Sequence, residues 1–136
     1  MKMSKTLSSP TGIIELLDDP AVNIRKIKSA VTDSGREIIL DEVNKPGVSN
    51  LLTILSALTG TPIDQLVRQF EGRGYGDLKT AVADAVTEFA VPYRNRTFEL
   101  MDERGELETI LAKGADRARE VASATLADVY AKVGVN

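Results

Sequence analysis

Two lysines stand three residues apart in Lys2-Met3-Ser4-Lys5-Thr6, within a stretch rich in Ser, Thr, Gly and Pro that runs to Gly12 without an apolar period. A loop of this kind can bring two ammonium groups onto one polyphosphate. Ammonium groups held there would stabilise negative charge on the phosphate oxygens. The plain alternative is a solvated tail, since lysine and serine are common at chain ends.

Other chemistry is narrowed by what the sequence lacks. It has no cysteine and no histidine. That removes Cys/His zinc sites, cysteine nucleophiles and Ser-His-Asp triads, and leaves carboxylates, lysines, arginines, hydroxyls and backbone groups. No metal site is expected. Asp18-Asp19 and the group Asp102, Glu103, Glu106 and Glu108 read as solvated helix ends. Gly72, Gly74 and Gly76 lack the G-x-G-x-x-G spacing and follow no strand pattern, so they read as a helix–helix turn.

Net charge is −3, so any nucleic-acid partner must meet a local basic stripe on an acidic body. Three Phe, three Tyr and no Trp give few rings for base stacking, which argues against a general single-strand binder. The clustered cations are Arg25, Lys26 and Lys28, then Arg94 and Arg96, then Arg117 and Arg119. Gathered on one surface, they would form a stripe for a nucleic-acid backbone. On charge pattern alone, solvated helix faces paired to acids at i±4 outweigh that reading.

The elements that must position these groups read as helices. Ile13, Ile14, Leu16 and Leu17 form a short apolar segment of one or two helical turns. Asp19 caps and Pro20 opens a helix over about 20–32, with Ile24, Ile27 and Val31 on one face. Residues 33–47 fit no period and read as an ordered, mostly extended connection. Val48, Leu51, Leu52, Leu55 and Leu58 mark a buried helix ended by Thr59-Gly60. Thr61 caps the next, with Pro62 at its first position. From Asp77 a long pattern carries Leu78, Val82, Val86, Phe89 and Tyr93, with a kink or frayed turn expected near Pro92. Gly105 ends it. A short helix over 106–112 and a last one to about 133 follow, the latter with an alanine-rich face suited to close packing. The expected fold is all-α, a compact bundle of five to seven helices with one irregular connection near 33–47. At 136 residues the chain can bury a real core.

Taken in order, several segments carry a family resemblance. They are KMSKT at 2–6, LLDDP at 16–20, IRKIKSAVTDS at 24–34, NKPGVSNLL at 44–52, ILSALTG at 54–60 and FEGRGYGDLK at 70–79. Over residues 2–134 the chain resembles the C-terminal third of bacterial tryptophanyl-tRNA synthetases. AVTDS and NKPGVSNLL at these spacings separate it from the related tyrosyl enzymes.

The resemblance implies a division into a KMSKS-type ATP loop and linker at 1–12 and a helical anticodon-binding domain at 13–136. It implies that Lys2 and Lys5 are the catalytic loop lysines, and that Lys2, Met3, Ser4, Lys5 and Thr6 meet ATP, itself bound as its Mg2+ complex. Thr6 stands where serine is commoner and keeps the hydroxyl. The partners implied are tRNA(Trp), with Arg25, Lys26, Lys28, Arg94 and Arg96 as candidate contacts, and the enzyme's own N-terminal nucleotide-binding domain. The parent enzyme is expected to be a homodimer. The family's nucleotide-binding fold and tryptophan pocket lie upstream of the loop and have no counterpart here. The chain is therefore expected to be the C-terminal portion of a tryptophan–tRNA ligase, inactive alone. The alternative is a stand-alone helical RNA-binding or interaction module of the same ancestry. No apolar run approaches a membrane span and no secretory signal opens the chain, so a cytoplasmic location is expected.

Overall fold

The computed structural model describes residues 9–134. After a 3-10 turn at Pro10–Gly12 come five α-helices: α1 Pro20–Lys28, α2 Pro46–Thr59, α3 Ile63–Gln69, α4 Tyr75–Asp102 and α5 Arg104–Val133. No strand occurs among the described residues. The all-α expectation and the irregular connection hold. Internal contacts divide the chain into two units, one up to Arg94 and one from Asn95 onward.

In the first unit, Asp19 accepts a 2.8 Å bond from the Ala21 N–H and Pro20 takes the first helical position, as its fixed φ and missing N–H favour. The expected helical turns over 13–17 do not form. Ile13 to Glu15 lack helical structure, and Asn23 and Lys26 of α1 take the carbonyls of Glu15 and Ile13 at 2.8 and 2.9 Å. Those carbonyls serve tertiary bonds instead of helical ones.

α1 also stops four residues earlier than its apolar spacing predicts. Ser29 closes it, bonding the Arg25 carbonyl through its N–H and the Lys26 carbonyl through its hydroxyl, each at 3.0 Å. The Ala30 carbonyl is taken by Lys79 of α4 at 2.7 Å. Val31, expected on the buried face, is consequently 88% exposed.

The core of this unit gathers Ile27 from α1, Ile38 from the connection, Val48, Leu51, Leu52 and Leu55 from α2, Leu66 and Phe70 at α3, and Leu78, Val82 and Val86 from α4. The i, i+3, i+4 spacing of α2 thus reports its buried face correctly. Gly60 ends α2 at φ +70°, its N–H 2.9 Å from the Ser56 carbonyl, in the left-handed conformation that glycine adopts without penalty. Pro62, rather than Thr61, holds the cap position of α3, and no side chain caps that helix. α4 begins at Tyr75, two residues before the expected start, so Gly76 lies inside it.

α4 then runs continuously through Pro92. Proline there removes one intrahelical bond, but Pro92 and Glu88 are exposed, so water can take the freed Glu88 carbonyl. The apolar stripe of α4 is buried only as far as Val86 and Ala90; Phe89 and Tyr93 are exposed.

In the second unit, the end of α4 and α5 are separated by Glu103 alone. Glu103 bonds back to the Glu99 carbonyl at 2.9 Å and accepts from Leu107 at 3.3 Å, so the chain restarts at once. The expected stop at Gly105 and the split near 112 are both absent. Gly105 and Gly114 sit within one 30-residue helix, since an isolated glycine costs a helix only about 1 kcal/mol. None of the described α5 residues is buried, including those of its alanine-rich face.

One packing constraint is tight. A Cβ added at Gly47, in the first turn of α2, would lie 2.2 Å from the Val31 carbonyl oxygen, a backbone atom that cannot swing away. Gly47→Ala is therefore expected to cost about 2 kcal/mol or more through overpacking. Gly74→Ala, where an added Cβ meets nothing within 4 Å, is expected to change stability by less than about 0.5 kcal/mol. Thermal and urea melts of the two variants check this.

Candidate functional site

The irregular connection brings the AVTDS, NKPGV and GYGDLK segments to one place. Lys45 Nζ donates to the Tyr75 hydroxyl at 2.8 Å and to Asp33 Oδ1 at 3.2 Å. The Tyr75 hydroxyl donates to both Asp33 oxygens, at 2.8 and 2.9 Å. The Gly35 N–H adds a 2.7 Å bond to Asp33 Oδ1. The side chains of Lys45 and Asp33 keep 15% and 25% of their exposure, so the network is largely shielded from water. A Cβ at Gly35 would stand 2.6 Å from Asp33 Oδ1 and 2.9 Å from Lys45 Nζ, so a side chain there would crowd the network.

Beside it, Asp41 folds the chain into α2. Its carboxylate accepts from the N–H groups of Val43 and Asn44 and from the Asn44 side chain, while its own N–H bonds Ser49 Oγ at 2.9 Å. An aspartate bonded to backbone N–H groups just ahead is a turn device.

These contacts set the protonation of the cluster. The Tyr75 hydroxyl first, then the Gly35 N–H and Lys45, hold the Asp33 carboxyl below the ordinary carboxylate range against the opposing effect of burial. Backbone and side-chain bonds from Asn44 do the same for Asp41. Lys45 is pushed above the usual lysine value, chiefly by Tyr75 and then by Asp33. The cluster anchors the connection to α2 and α4.

The predicted loop residues Lys2, Met3, Ser4, Lys5 and Thr6 lie outside the described residues. The predicted basic contacts differ in how far they are engaged. Lys26 ends 3.0 Å from Asp18 and 2.9 Å from the Ile13 carbonyl, with its side chain 17% exposed. Arg94 donates through Nε to the Leu17 carbonyl at 3.2 Å. Arg96 is paired with Glu106 and, at 3.3 Å, with Glu99. Arg25 and Lys28 are exposed in the last turn of α1 and form no ion pair among the described residues. Charge spacing alone did not separate these two from Lys26, because the partner of Lys26 comes from eight residues upstream.

Three residues that sequence reading passed over belong to the arrangement: Lys45, Tyr75 and Lys79. Their signal was present, since each sits inside a segment that carried the resemblance. Two open grooves flank the core. One, of about 760 Å3, is lined by Thr11, Ile14, Val31, Ile54, Leu58 and Phe89 among others. The other lies between the connection and the α3–α4 turn.

Residues 1–90 match the family model described as tRNA synthetases class I (W and Y), and the chain belongs to that family. Within it, the similar proteins are of the tryptophan type. The chain is 59% identical over 133 residues to the tryptophan–tRNA ligase of Corynebacterium glutamicum, covering 98% of this chain and 39% of that enzyme. It is 55% identical over the same length to that of Mycobacterium leprae, with the same coverage. A solved structure, tryptophanyl-tRNA synthetase from Mycoplasma pneumoniae, superposes with a TM-score of 0.86 at 32% identity, covering 98% of this chain and 41% of that one. The chain thus spans about two fifths of the length of the relatives it matches.

The lowered pKa of Asp33 has a consequence for stability. A carboxyl depressed by folding contributes stability that is present above its unfolded pKa of about 3.9 and is lost as pH falls through the lower folded value. Asp33→Asn is expected to melt below the parent at pH 7. The gap is expected to narrow as pH falls below about 4, where the parent loses the same charge. Melting temperatures of both proteins across that range check the sign.

Proposed function

We propose that the chain is the C-terminal portion of a tryptophan–tRNA ligase, the enzyme that joins tryptophan to tRNA(Trp) at the expense of ATP. The observation that carries this is the near-complete coverage of the chain by tryptophan–tRNA ligases at up to 59% identity, with Lys2 to Thr6 inside the matched family region. In this reading residues 1–12 form the ATP loop and linker, and 13–136 the helical tRNA-binding domain.

Lys2 and Lys5 close on the phosphates of the Mg2+–ATP complex. Met3, Ser4 and Thr6 complete that loop. The second lysine acts on charge that develops as pyrophosphate leaves, so it serves the transition state more than the bound substrate. The nucleotide fold and tryptophan pocket come from the N-terminal domain of the same enzyme. The apolar groove lined by Ile14, Val31, Ile54 and Phe89, whose rim includes Ser9, Thr11 and Gly12 just beyond the loop, gives that domain a surface to pack on. The parent enzyme acts in the cytoplasm as a homodimer. No helix among the described residues is long and apolar enough to cross a membrane.

Of the candidate tRNA contacts, Arg25 and Lys28 form no ion pair among the described residues. Lys26, Arg94 and Arg96 hold the fold while adding to the local field. A chimera tests the whole reading. The chain replaces the matching segment of the Corynebacterium glutamicum enzyme, and both ATP–pyrophosphate exchange and tRNA charging are measured. The chimera is expected to be active, whereas the chain alone yields no tryptophan-dependent exchange. Lys5→Ala in the chimera should slow exchange about a hundredfold, the loss typical of one charge-stabilising group, with little change in tryptophan affinity. Arg25→Glu with Lys28→Glu should leave exchange intact and raise the KM for tRNA in a salt-dependent way. Normal exchange in Lys5→Ala removes the loop assignment, and an unchanged KM at low salt removes α1 from the tRNA surface.

A further inference from the structure

The segment that leads from the proposed ATP loop into α1 is held by side chains. Ile13, Glu15 and Leu17 alternate along it, and each has its carbonyl taken by a side chain of a helix. Lys26 Nζ of α1 donates to the Ile13 carbonyl at 2.9 Å, Asn23 Nδ2 of α1 to that of Glu15 at 2.8 Å, and Arg94 Nε of α4 to that of Leu17 at 3.2 Å. Lys26 is fixed in turn by Asp18 at 3.0 Å, with its side chain 17% exposed. On the intervening positions, Ile14 packs against the core and Leu16 is half-buried. Among the described residues, the backbone bond within 13–18 runs from the Asp18 N–H to the Glu15 carbonyl, at 3.2 Å. Side chains of α1 and α4 thus set the path of this segment.

Asn23 makes its bond at a cost. It is 3% exposed, and its Oδ1 is buried without a hydrogen-bond partner. Val86, Ala90 and Val91 line the small cavity it shares with Leu16 and Thr87. Walls this apolar would accept a hydrocarbon side chain, which leaves no buried acceptor unmet. The Glu15 carbonyl does not depend on the amide, because the Asp18 N–H also bonds it. What asparagine adds is a second bond that fixes where Glu15 lies. A buried polar group kept against its desolvation cost serves geometry rather than stability.

We propose that Asn23 and Lys26, with Arg94 beside them, are positioning residues for adenylate formation: they pin the chain at Ile13, Glu15 and Leu17, and so fix the point from which Lys5 reaches the leaving pyrophosphate. The inference rests on the tRNA-ligase reading above and moves Lys26 from the tRNA surface to the activation step. Lys5 stands eight residues before Ile13, a short tether. A group that acts on charge developing in the transition state depends on its placement, and a displacement of about 1 Å can cost a hundredfold in rate. Each of the three side chains acts through the backbone it holds rather than on ATP.

ATP–pyrophosphate exchange by the chimera described above tests it, with Asn23→Val, Lys26→Met and Lys5→Ala made singly and in pairs. Asn23→Val removes the orphaned acceptor, so it is expected to melt at or above the parent's temperature. It is expected nonetheless to lower the exchange kcat about tenfold, with the KM for tryptophan and for tRNA unchanged. Lys26→Met is expected to lower kcat about as far. In the Lys5→Ala background either change should cost less than about twofold more, because the group it positions is already gone. A merely structural role gives the reverse: stability and rate fall together, and the losses multiply. That result overturns the inference. So does a parental kcat in both Asn23→Val and Lys26→Met, and in that case a slow Lys5→Ala leaves the tRNA-ligase reading standing. A KM for tRNA raised by Lys26→Met with exchange intact returns Lys26 to the tRNA surface and also overturns the inference. If Lys5→Ala itself exchanges as the parent does, the loop reading falls and the inference with it.

Discussion

Lys45 donates to the hydroxyl of Tyr75, Tyr75 donates to Asp33, and Asp33 takes the N–H of Gly35 as well. This short relay fastens a stretch of chain that has neither helix nor strand to satisfy it. Between Ser29 and Lys45 the backbone is irregular, yet Ile38 from its middle reaches the core. The relay fixes the upstream end of this segment, Asp41 its downstream end and Ile38 its middle. Hydrogen bonds in series strengthen one another in a shielded setting, so the three side chains act as one unit. Lys79 on the Ala30 carbonyl and the close approach of Gly47 to Val31 hold the upstream half in the same way. The segments that gave the sequence its family character are those that meet here.

The sequence announced the helices whose faces are buried in one stroke. α2 was legible because five apolar residues at helical spacing all point into the core and a glycine in the left-handed conformation ends it. The start of α1 was legible because Asp19 and Pro20 act locally. What escaped was decided at long range. Val31 falls on the apolar face of α1 by spacing, yet a bond from Lys79, forty-nine residues away, takes the carbonyl next to it and the helix has already ended. Gly105 looked like a break because glycine is weak in helices, but the flanking residues propagate the helix across it, and across Gly114 as well.

The candidate site was legible in part. Lys2 and Lys5 stand out by type and spacing as candidates that lie outside the described residues, and the basic residues stand out by clustering. Which cations are free was not in the sequence. Lys26 and Lys28 differ by two positions on one helix, and only the fold shows Lys26 turned onto Asp18 while Lys28 stays in solvent. Lys45 and Tyr75 were hidden for the opposite reason. They are thirty residues apart, and neither type marks a site until the connection folds them together.

α5 carries thirty residues, roughly 45 Å of helix, without a single buried side chain. Its backbone bonds are therefore guarded by helix cooperativity and by surface pairs such as Lys132 with Asp128, rather than by a core. Amide protons in such an element exchange through local fraying instead of global unfolding. The chain thus has a graded protection profile: α2 and the first half of α4 set the slowest exchange, and α5 the fastest among the helices. An isothermal melt followed by exchange would see the molecule come apart from its C-terminal end, with the relay at Asp33 still closed.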